Sequence, residues 1–185
     1  MKNKYLVVID MQKDFIDGSL GSPDALAIVD NVCEKIRNYD GYIYLTKDTH
    51  DRSHYADTLE GKLLPVPHCF KGEQGHELNE KIKLAIADYV NKNNERVPTT
   101  YEKPTFGSIA LATAIGFRNR HNEDIEEIEV CGLCTDICVV SNALLLRAWF
   151  PDVPMKVDSK CCAGTSKENH EAALKVMKSC QIEVV

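Results

Sequence analysis

Short apolar runs alternate along the chain with stretches in which apolar residues recur at helical spacing. A buried strand of a parallel sheet has a continuous apolar pattern, because both of its faces are covered. Several such runs predict strands, and the stretch 96–100 predicts a weaker one. The clearer runs are 5–10, 42–46, 128–133, 153–157 and 182–185, of which 153–157 is weakened by Pro154.

Between these runs, helical spacing predicts amphipathic helices. Ser22 before Pro23 marks the start of the first helix, and Thr165 with Glu168 has the spacing of a capping box at the start of the last. The predicted helices fall at 23–36, 78–90, 108–117, 139–149 and 165–177. Strands alternating with helices favour an α/β fold: a doubly wound, Rossmann-like, mostly parallel six-stranded sheet with helices on both faces.

Composition is that of an ordinary soluble protein. The chain has 185 residues, which fits one domain over 1–185, and a net charge of −6 with no Lys/Arg cluster longer than a pair. That balance argues against nucleic acid or an anionic membrane as a partner. We find no signal peptide and no apolar run of bilayer length, and we expect the eight cysteines to be reduced thiols. A cytoplasmic protein is therefore expected.

Cys138 stands at a predicted strand-to-helix turn. The apolar run 128–133 leads into a strongly apolar helix, which puts Cys138 on the first helical turn. Unpaired backbone N–H groups and the helix dipole favour an anion there, so we expect the thiol to lose its proton readily and act as a nucleophile. The same N–H groups could hold an oxyanion. Two alternatives stay open: a small buried side chain, or a structural zinc site with Cys131 and Cys134.

Asp10 and Lys103 are further candidates for catalysis. Asp10 ends the first apolar run, and functional groups gather beyond the carboxyl ends of parallel strands. An Asp in this place can also simply cap a turn. Lys103 follows the weak strand and precedes Pro104, so it is either a surface lysine or part of a pocket edge with the nearby Phe106.

The segment 47–75 has neither helical nor strand periodicity, and most of the histidines lie in it or next to it. A loop of this length in a compact domain is usually functional or disordered. Asp48 and His50 form a compact chelating pair, and His68 offers a third ligand. Such ligands suit zinc, iron or manganese. The alternative is a set of solvated loop histidines.

Together these residues resemble the isochorismatase-like cysteine hydrolases, in particular the nicotinamidase/pyrazinamidase branch. The matching parts occur in the family's order along nearly the whole chain, and the ordered set is more specific than any one part. They are Val-Ile-Asp-Met-Gln-x-Asp-Phe at 8–15, Asp48-Thr49-His50, Pro67-His68-Cys69 with Gly72 and Gly75, Lys103 with Phe106-Gly107, Gly-Leu-Cys-Thr-Asp-Ile-Cys-Val at 132–139, and Asp158 with Ala163-Gly164.

The resemblance implies a catalytic triad of Asp10, Lys103 and Cys138. It also implies a cis peptide bond before Cys134, and an oxyanion hole formed by the N–H groups of Cys134 and Cys138. Phe15 and Phe106 occupy the positions of aromatic pocket walls in the family. Many nicotinamidases carry a Trp just before the metal-binding His, whereas this chain has Pro-Val-Pro at 65–67. The pocket is therefore expected to be more open or to be walled by another residue.

The resemblance further implies one divalent metal ion, which we expect to be zinc, with iron or manganese as alternatives. Its ligands would include Asp48, His50 and His68. A further protein ligand varies within the family, and both His54 and Glu60 qualify here. We prefer His54, because imidazole suits a borderline metal.

The implied activity is hydrolysis of nicotinamide, and of pyrazinamide, to the acid and ammonia through a Cys thioester, in NAD salvage. Two alternatives stay open. One is a related cysteine hydrolase acting on another small amide or an N-carbamoyl compound. The other is a non-catalytic protein that senses metal or redox state through its thiols. Because family members often form dimers or larger assemblies, a homo-oligomer is also a reasonable expectation.

Overall fold

A computed structural model describes residues 3–118 and 125–185, and it contains a sheet of six parallel strands. The strands lie side by side in the order β3-β2-β1-β4-β5-β6, and every neighbouring pair is parallel. Their bounds are β1 Asn3–Ile9, β2 Tyr42–Asp48, β3 Thr99–Lys103, β4 Ile125–Leu133, β5 Met155–Ala163 and β6 Glu183–Val184. The predicted α/β sheet is confirmed.

Helices connect the strands and cover both faces of the sheet. Right-handed crossovers run outward from β1 on one side and from β4 on the other, which places the two sets of helices on opposite faces. In one set α3 packs against α5, and in the other α7 packs against both α6 and α8. The helices are α1 Lys13–Ile16, α2 Pro23–Ala27, α3 Val29–Asn38, α4 Leu59–Leu63, α5 Glu80–Lys92, α6 Ile109–Arg118, α7 Val140–Trp149 and α8 Lys167–Ser179.

The central strand β1 is the core of the molecule. Residues 5–9 are buried, and β1 is hydrogen-bonded to β2 on one side and to β4 on the other. Burial on both faces explains its continuous apolar sequence. Among the described residues, no helix has the length and apolar character needed to cross a bilayer.

Several predicted boundaries differ from the structure. The weak strand at 96–100 lies three residues later, as β3, because its pairing with β2 places Thr99 opposite Tyr44. β5 continues beyond the predicted 157 to Ala163, because β4 also pairs with its carboxyl-terminal residues. The polar residues in the middle of β5 interrupt the apolar pattern, so the sequence did not predict this extension. The helix predicted at 23–36 is divided at Ile28 into α2 and α3.

The two predicted helix caps have different outcomes. Ser22 caps α2, accepting a hydrogen bond from the N–H of Ala25, as predicted. The prediction of a capping box that begins at Thr165 is wrong. Ser166 caps α8 instead, because the hydroxyl of Thr165 donates to the carboxylate of Asp136, a residue of the turn that follows β4.

The strand order reverses between β1 and β4, and this reversal opens a crevice at their carboxyl ends. Gly132, near the end of β4, has a φ of 122°. A Cβ at this position would lie 2.1 Å from the carbonyl oxygen of Ile9, so only glycine permits such close approach. The residues that follow β1 and β4 are thereby brought side by side.

Candidate active site

Asp10, Lys103 and Cys138 meet at this crevice although they are far apart in sequence. Asp10 follows β1, Lys103 is the last residue of β3, and Cys138 lies in a π-helical turn, Thr135–Val139, after β4. The Nζ of Lys103 is 2.6 Å from Oδ2 of Asp10 and donates a hydrogen bond to the Sγ of Cys138 at 3.3 Å. All three side chains are buried. The structure therefore places the three predicted residues in mutual reach.

The charges of this buried cluster are set by competition between burial and neighbours. Burial alone would lower the pKa of Lys103, but the adjacent Asp10 outweighs it, so the pKa lies above its usual 10.5 and the ammonium stays charged. Burial raises the pKa of Asp10 above 3.8, and the attraction of Lys103 opposes this rise. Asp10 is therefore a stronger base than an ordinary exposed carboxylate.

The expectation that the helix start acidifies Cys138 is wrong. Cys138 lies inside the π-helical turn that precedes α7, rather than on the first turn of α7. Burial raises its thiol pKa well above 9.0, and the negative charge of Asp10 raises it further. The resting side chain is therefore a neutral thiol, and a base would have to remove its proton before the sulfur could act as a nucleophile.

Thr46 is a positioning residue that the sequence pattern did not reveal. Its fully buried hydroxyl donates to Oδ1 of Asp10 at 2.6 Å and accepts from the backbone N–H of Asp10 at 3.2 Å. Lys103 forms an ion pair with the other carboxylate oxygen of Asp10, Oδ2. The available signal was a polar side chain directly after the apolar residues of β2 and two residues before Asp48.

Replacing Thr46 with Val is expected to lower kcat for the amide hydrolysis that the resemblance implies by about 10- to 100-fold, since a hydrogen bond to a charged group is lost. The same bond lowers the pKa of Asp10, so its removal should also shift the acid limb of the pH–rate profile upward. Thr46→Ser keeps the hydroxyl and should behave nearly as the wild type. Equal kcat values and equal acid limbs in Thr46→Val and the wild type would rule out this role.

Asn142 of α7 holds the π-helical turn Thr135–Val139 against the loop before α6. Its Nδ2 donates to the carbonyl oxygens of Cys138 and Phe106, at 2.7 and 2.9 Å, and its Oδ1 accepts from the N–H of Ser108 at 2.9 Å. All of these polar groups are satisfied by one buried side chain.

The peptide bond between Leu133 and Cys134 is cis, as the resemblance implied.

A second cluster lies beside the triad, and it has the chemistry of a metal site. Asp48, His50, Glu60 and His68 present ligand atoms that all lie within 4.8 Å of one another. The Nε2 of His50 is buried and 2.8 Å from Oδ2 of Asp48, yet it makes no hydrogen bond. Buried polar atoms usually have a hydrogen-bond partner, and this nitrogen has none although it faces the carboxylates of Asp48 and Glu60. A bound cation would satisfy the nitrogen and both carboxylates together. The residues fit a divalent metal.

Surrounding groups orient these ligands. The Nδ1 of His68 is hydrogen-bonded to the carbonyl oxygen of Val66 at 2.8 Å, which directs Nε2 toward Asp48 and Glu60. Gln12 binds both the N–H and the carbonyl oxygen of Asp48, at 2.7 and 2.9 Å. Asp48 also lies 3.5 Å from the Nζ of Lys103, so one carboxylate adjoins both clusters.

The preference for His54 as a further ligand is wrong. Its side chain is 78% exposed and contacts Asp51 and Ser53 instead of the cluster. Glu60, the alternative, lies 3.6 Å from the Nε2 atoms of both His50 and His68. The reason is local: the short helix α4 turns Glu60 inward, while His54 precedes it on an exposed turn.

Metal affinity should therefore separate these two residues. Glu60→Ala is expected to weaken binding of a divalent metal by about 10- to 100-fold or more, because a charged ligand is lost. His54→Ala should bind as the wild type does. Titration of metal-free protein with zinc against a competing chelator measures both, and the reverse ranking would contradict the assignment of Glu60.

Both clusters open into one cavity of about 630 Å³. Cys138 and Cys134 line it together with Asp48, Glu60 and His68. Phe15 and Phe106, the predicted aromatic walls, also line it. The remaining lining residues are Leu20, Gly21, Ser22, Ala25, Leu63, Leu64, Leu133, Ile137, Gly164 and Thr165. Leu63 and Leu64, which directly precede the Pro-Val-Pro stretch, are thus among the lining residues.

Comparison with known proteins agrees with this geometry. The family model of the isochorismatase domain matches residues 4–185. The chain belongs to the isochorismatase family. An isochorismatase family protein of Bacillus subtilis, PncA, is 32% identical over 180 residues, covering 92% of each chain. The predicted family resemblance is confirmed.

Solved structures of isochorismatase-family enzymes share the fold over their full length. The Bacillus subtilis nicotinamidase/pyrazinamidase PncA superposes with a TM-score of 0.80 and 28% identity, covering 100% of both chains. The pyrazinamidase of Pyrococcus horikoshii in complex with zinc has a TM-score of 0.75 and 26% identity, covering 99% of this chain and 98% of that one.

Proposed function

We propose that this protein hydrolyses nicotinamide, and the related ring amide pyrazinamide, to the carboxylic acid and ammonia. The observation that carries the proposal is the cluster of Asp10, Lys103 and Cys138, in which Cys138 lines the same cavity as three of the candidate metal ligands. A thiol beside a base can attack an amide carbon, and ligands beside it can fix a ring nitrogen. The Bacillus subtilis enzyme named above supports the substrate.

The first half of the reaction forms a thioester. Asp10, whose negative charge acts on the thiol, accepts the proton of Cys138 as the sulfur attacks the carboxamide carbon. The C–S bond forms, and the carbonyl oxygen becomes an oxyanion that the N–H groups of Cys134 and Cys138 stabilise. Lys103 keeps Asp10 in place and balances the negative charge.

The second half releases both products. The tetrahedral carbon expels the amine nitrogen, which takes the proton from Asp10 and leaves as ammonia. Asp10 then accepts a proton from water while the water oxygen attacks the thioester carbon. The C–S bond breaks, sulfur recovers the proton, and the acid departs. One amide and one water thus give one acid and one ammonia.

Asp48, His50, Glu60 and His68 would hold the metal, which we propose to be zinc. Two imidazoles and two carboxylates suit zinc, with iron and manganese as alternatives. When bound, the metal supplies an electrophilic site that orients the ring through its nitrogen. The zinc complex of the Pyrococcus horikoshii pyrazinamidase supports this choice.

We place the reaction in NAD salvage in the cytoplasm, because nicotinate and nicotinamide are pyridine precursors of that cofactor. All eight cysteines are free thiols, which fits a reducing compartment. A homo-oligomer stays an expectation.

The pH dependence follows from the raised pKa of Asp10. Only the carboxylate form accepts the thiol proton, so kcat/KM should fall as the pH decreases through a pKa above the ordinary 3.8. A pH–rate profile measures this limb, and metal analysis at each pH controls for ligand protonation. An acid limb at or below 3.8 with the metal retained would contradict the role of Asp10.

The substrate assignment is tested by product analysis. Metal-loaded protein is incubated separately with nicotinamide and with an N-carbamoyl amino acid, and the acid and ammonia are quantified. We expect nicotinate and ammonia in equal amounts from the first and no reaction with the second. Hydrolysis of the carbamoyl compound alone would overturn the ring-amide assignment.

A further inference from the structure

The cavity is larger than the proposed substrate requires. Pockets for drug-sized ligands are about 300–1,000 Å³, and this cavity of about 630 Å³ lies within that range. A single six-membered ring with one carboxamide is much smaller than such ligands. Once the amide carbon reaches Cys138 and the ring nitrogen reaches the metal ligands, part of the cavity is still open.

The open part has a different character from the reactive part. Cys138, Asp48 and His68 line the buried end. At the solvent end the lining side chains are more exposed: Leu63 is 78% exposed and Phe106 is 45% exposed. We define the outer pocket as Leu20, Leu63, Leu64, Phe106 and Ile137, all of which line the cavity.

Polar groups near the outer pocket are already engaged in the fold. The hydroxyl of Ser22 accepts from the N–H of Ala25 at 3.0 Å and caps α2. The hydroxyl of Thr165 donates to Asp136. The outer pocket therefore presents mainly alkyl and aromatic surface, and covering its exposed Leu63 with an apolar group would be favourable.

We infer that the outer pocket is a subsite for an apolar group carried on the ring, so that the substrates include heteroaromatic carboxamides with an apolar substituent. This inference rests on the proposed function. Carbon 5 of nicotinamide is the attachment point with least interference, since it adjoins neither the ring nitrogen nor the carbon that bears the amide. A chain at carbon 5 leaves both reactive contacts free.

The test compares 5-propylnicotinamide with nicotinamide. With metal-loaded wild type, kcat/KM for the propyl compound is expected to exceed that for nicotinamide by at least about fivefold, as contacts to added methylenes in a hydrophobic pocket allow. Leu63→Asn should remove most of this preference, measured as the ratio of the two kcat/KM values. Leu59→Asn is the matched control, because Leu59 is on the same helix α4, is 74% exposed and does not line the cavity.

The outcomes separate the inference from the proposed function. Hydrolysis of nicotinamide with much slower hydrolysis of the propyl compound would overturn the subsite and leave the function intact. An equal loss of preference in Leu63→Asn and Leu59→Asn would also overturn it. Hydrolysis of neither amide would overturn the function. In that case, calorimetric binding of nicotinate and 5-propylnicotinate to Cys138→Ala protein decides the subsite: tighter binding of the propyl acid supports it, and weaker or equal binding refutes it.

Discussion

Replacing Cys138 with Ala is expected to abolish ammonia release from nicotinamide, with kcat lowered by at least about 10⁴-fold. The buried thiol is the only protein group in the proposed reaction that bonds to the substrate carbon, and loss of a nucleophile commonly has an effect of this size or larger. Coupled ammonia detection at saturating nicotinamide measures the loss. Thermal unfolding of the variant should stay close to that of the wild type, because the change is small in volume.

Cys134→Ala is the matched control for this substitution. Cys134 lines the same cavity, and burial raises its thiol pKa to about 12. Only its backbone N–H has a proposed role, so the variant should keep kcat within about tenfold of the wild type. Comparable losses in both variants would contradict the assignment of Cys138 as the nucleophile. Activity unchanged in Cys138→Ala would favour the non-catalytic alternative.

Asp10→Asn should have effects of opposite sign on hydrolysis and on thiol reactivity. The amide cannot accept the thiol proton, so kcat is expected to fall by about 10²- to 10⁴-fold. The negative charge of Asp10 raises the pKa of Cys138, and its removal leaves Lys103 as the nearest charge. The thiol pKa should therefore fall, and Cys138 should be alkylated faster at neutral pH.

Iodoacetamide labelling followed by peptide mass spectrometry measures the alkylation rate at Cys138. Cys33, a buried thiol on α3 remote from the cluster, is the internal reference, and its labelling should not change. Slower labelling of Cys138 in Asp10→Asn would contradict the charge arrangement described here. Unchanged hydrolysis would exclude Asp10 as the base.

The sheet was predictable because its strands obey one simple rule. The carboxyl-terminal parts of β1 and β4 are buried, so residues 5–9 and 130–133 are apolar runs, and these runs end just before Asp10 and the π-helical turn that holds Cys138. β3 and β5 were misplaced or shortened, because their polar residues contradict that rule and only pairing with neighbouring strands determines their ends.

Site residues divide in a similar way. Asp10, Lys103 and Cys138 lie at carboxyl ends of strands or just after them, where family motifs identify them and the sheet brings them together. The choice between His54 and Glu60 depended on the direction of a short helix in a segment without periodicity. That direction follows from tertiary contacts, as does the burial that makes Cys138 a neutral thiol.

The central claim is tested most directly by ammonia release from nicotinamide in three samples: metal-loaded wild type, the same protein after chelation and then after zinc is restored, and metal-loaded Cys138→Ala. We predict activity in the first sample, loss and recovery in the second, and none in the third. Full activity after complete removal of the metal would contradict the role of the Asp48 cluster. Ammonia release by Cys138→Ala at the wild-type rate would contradict the proposed chemistry itself.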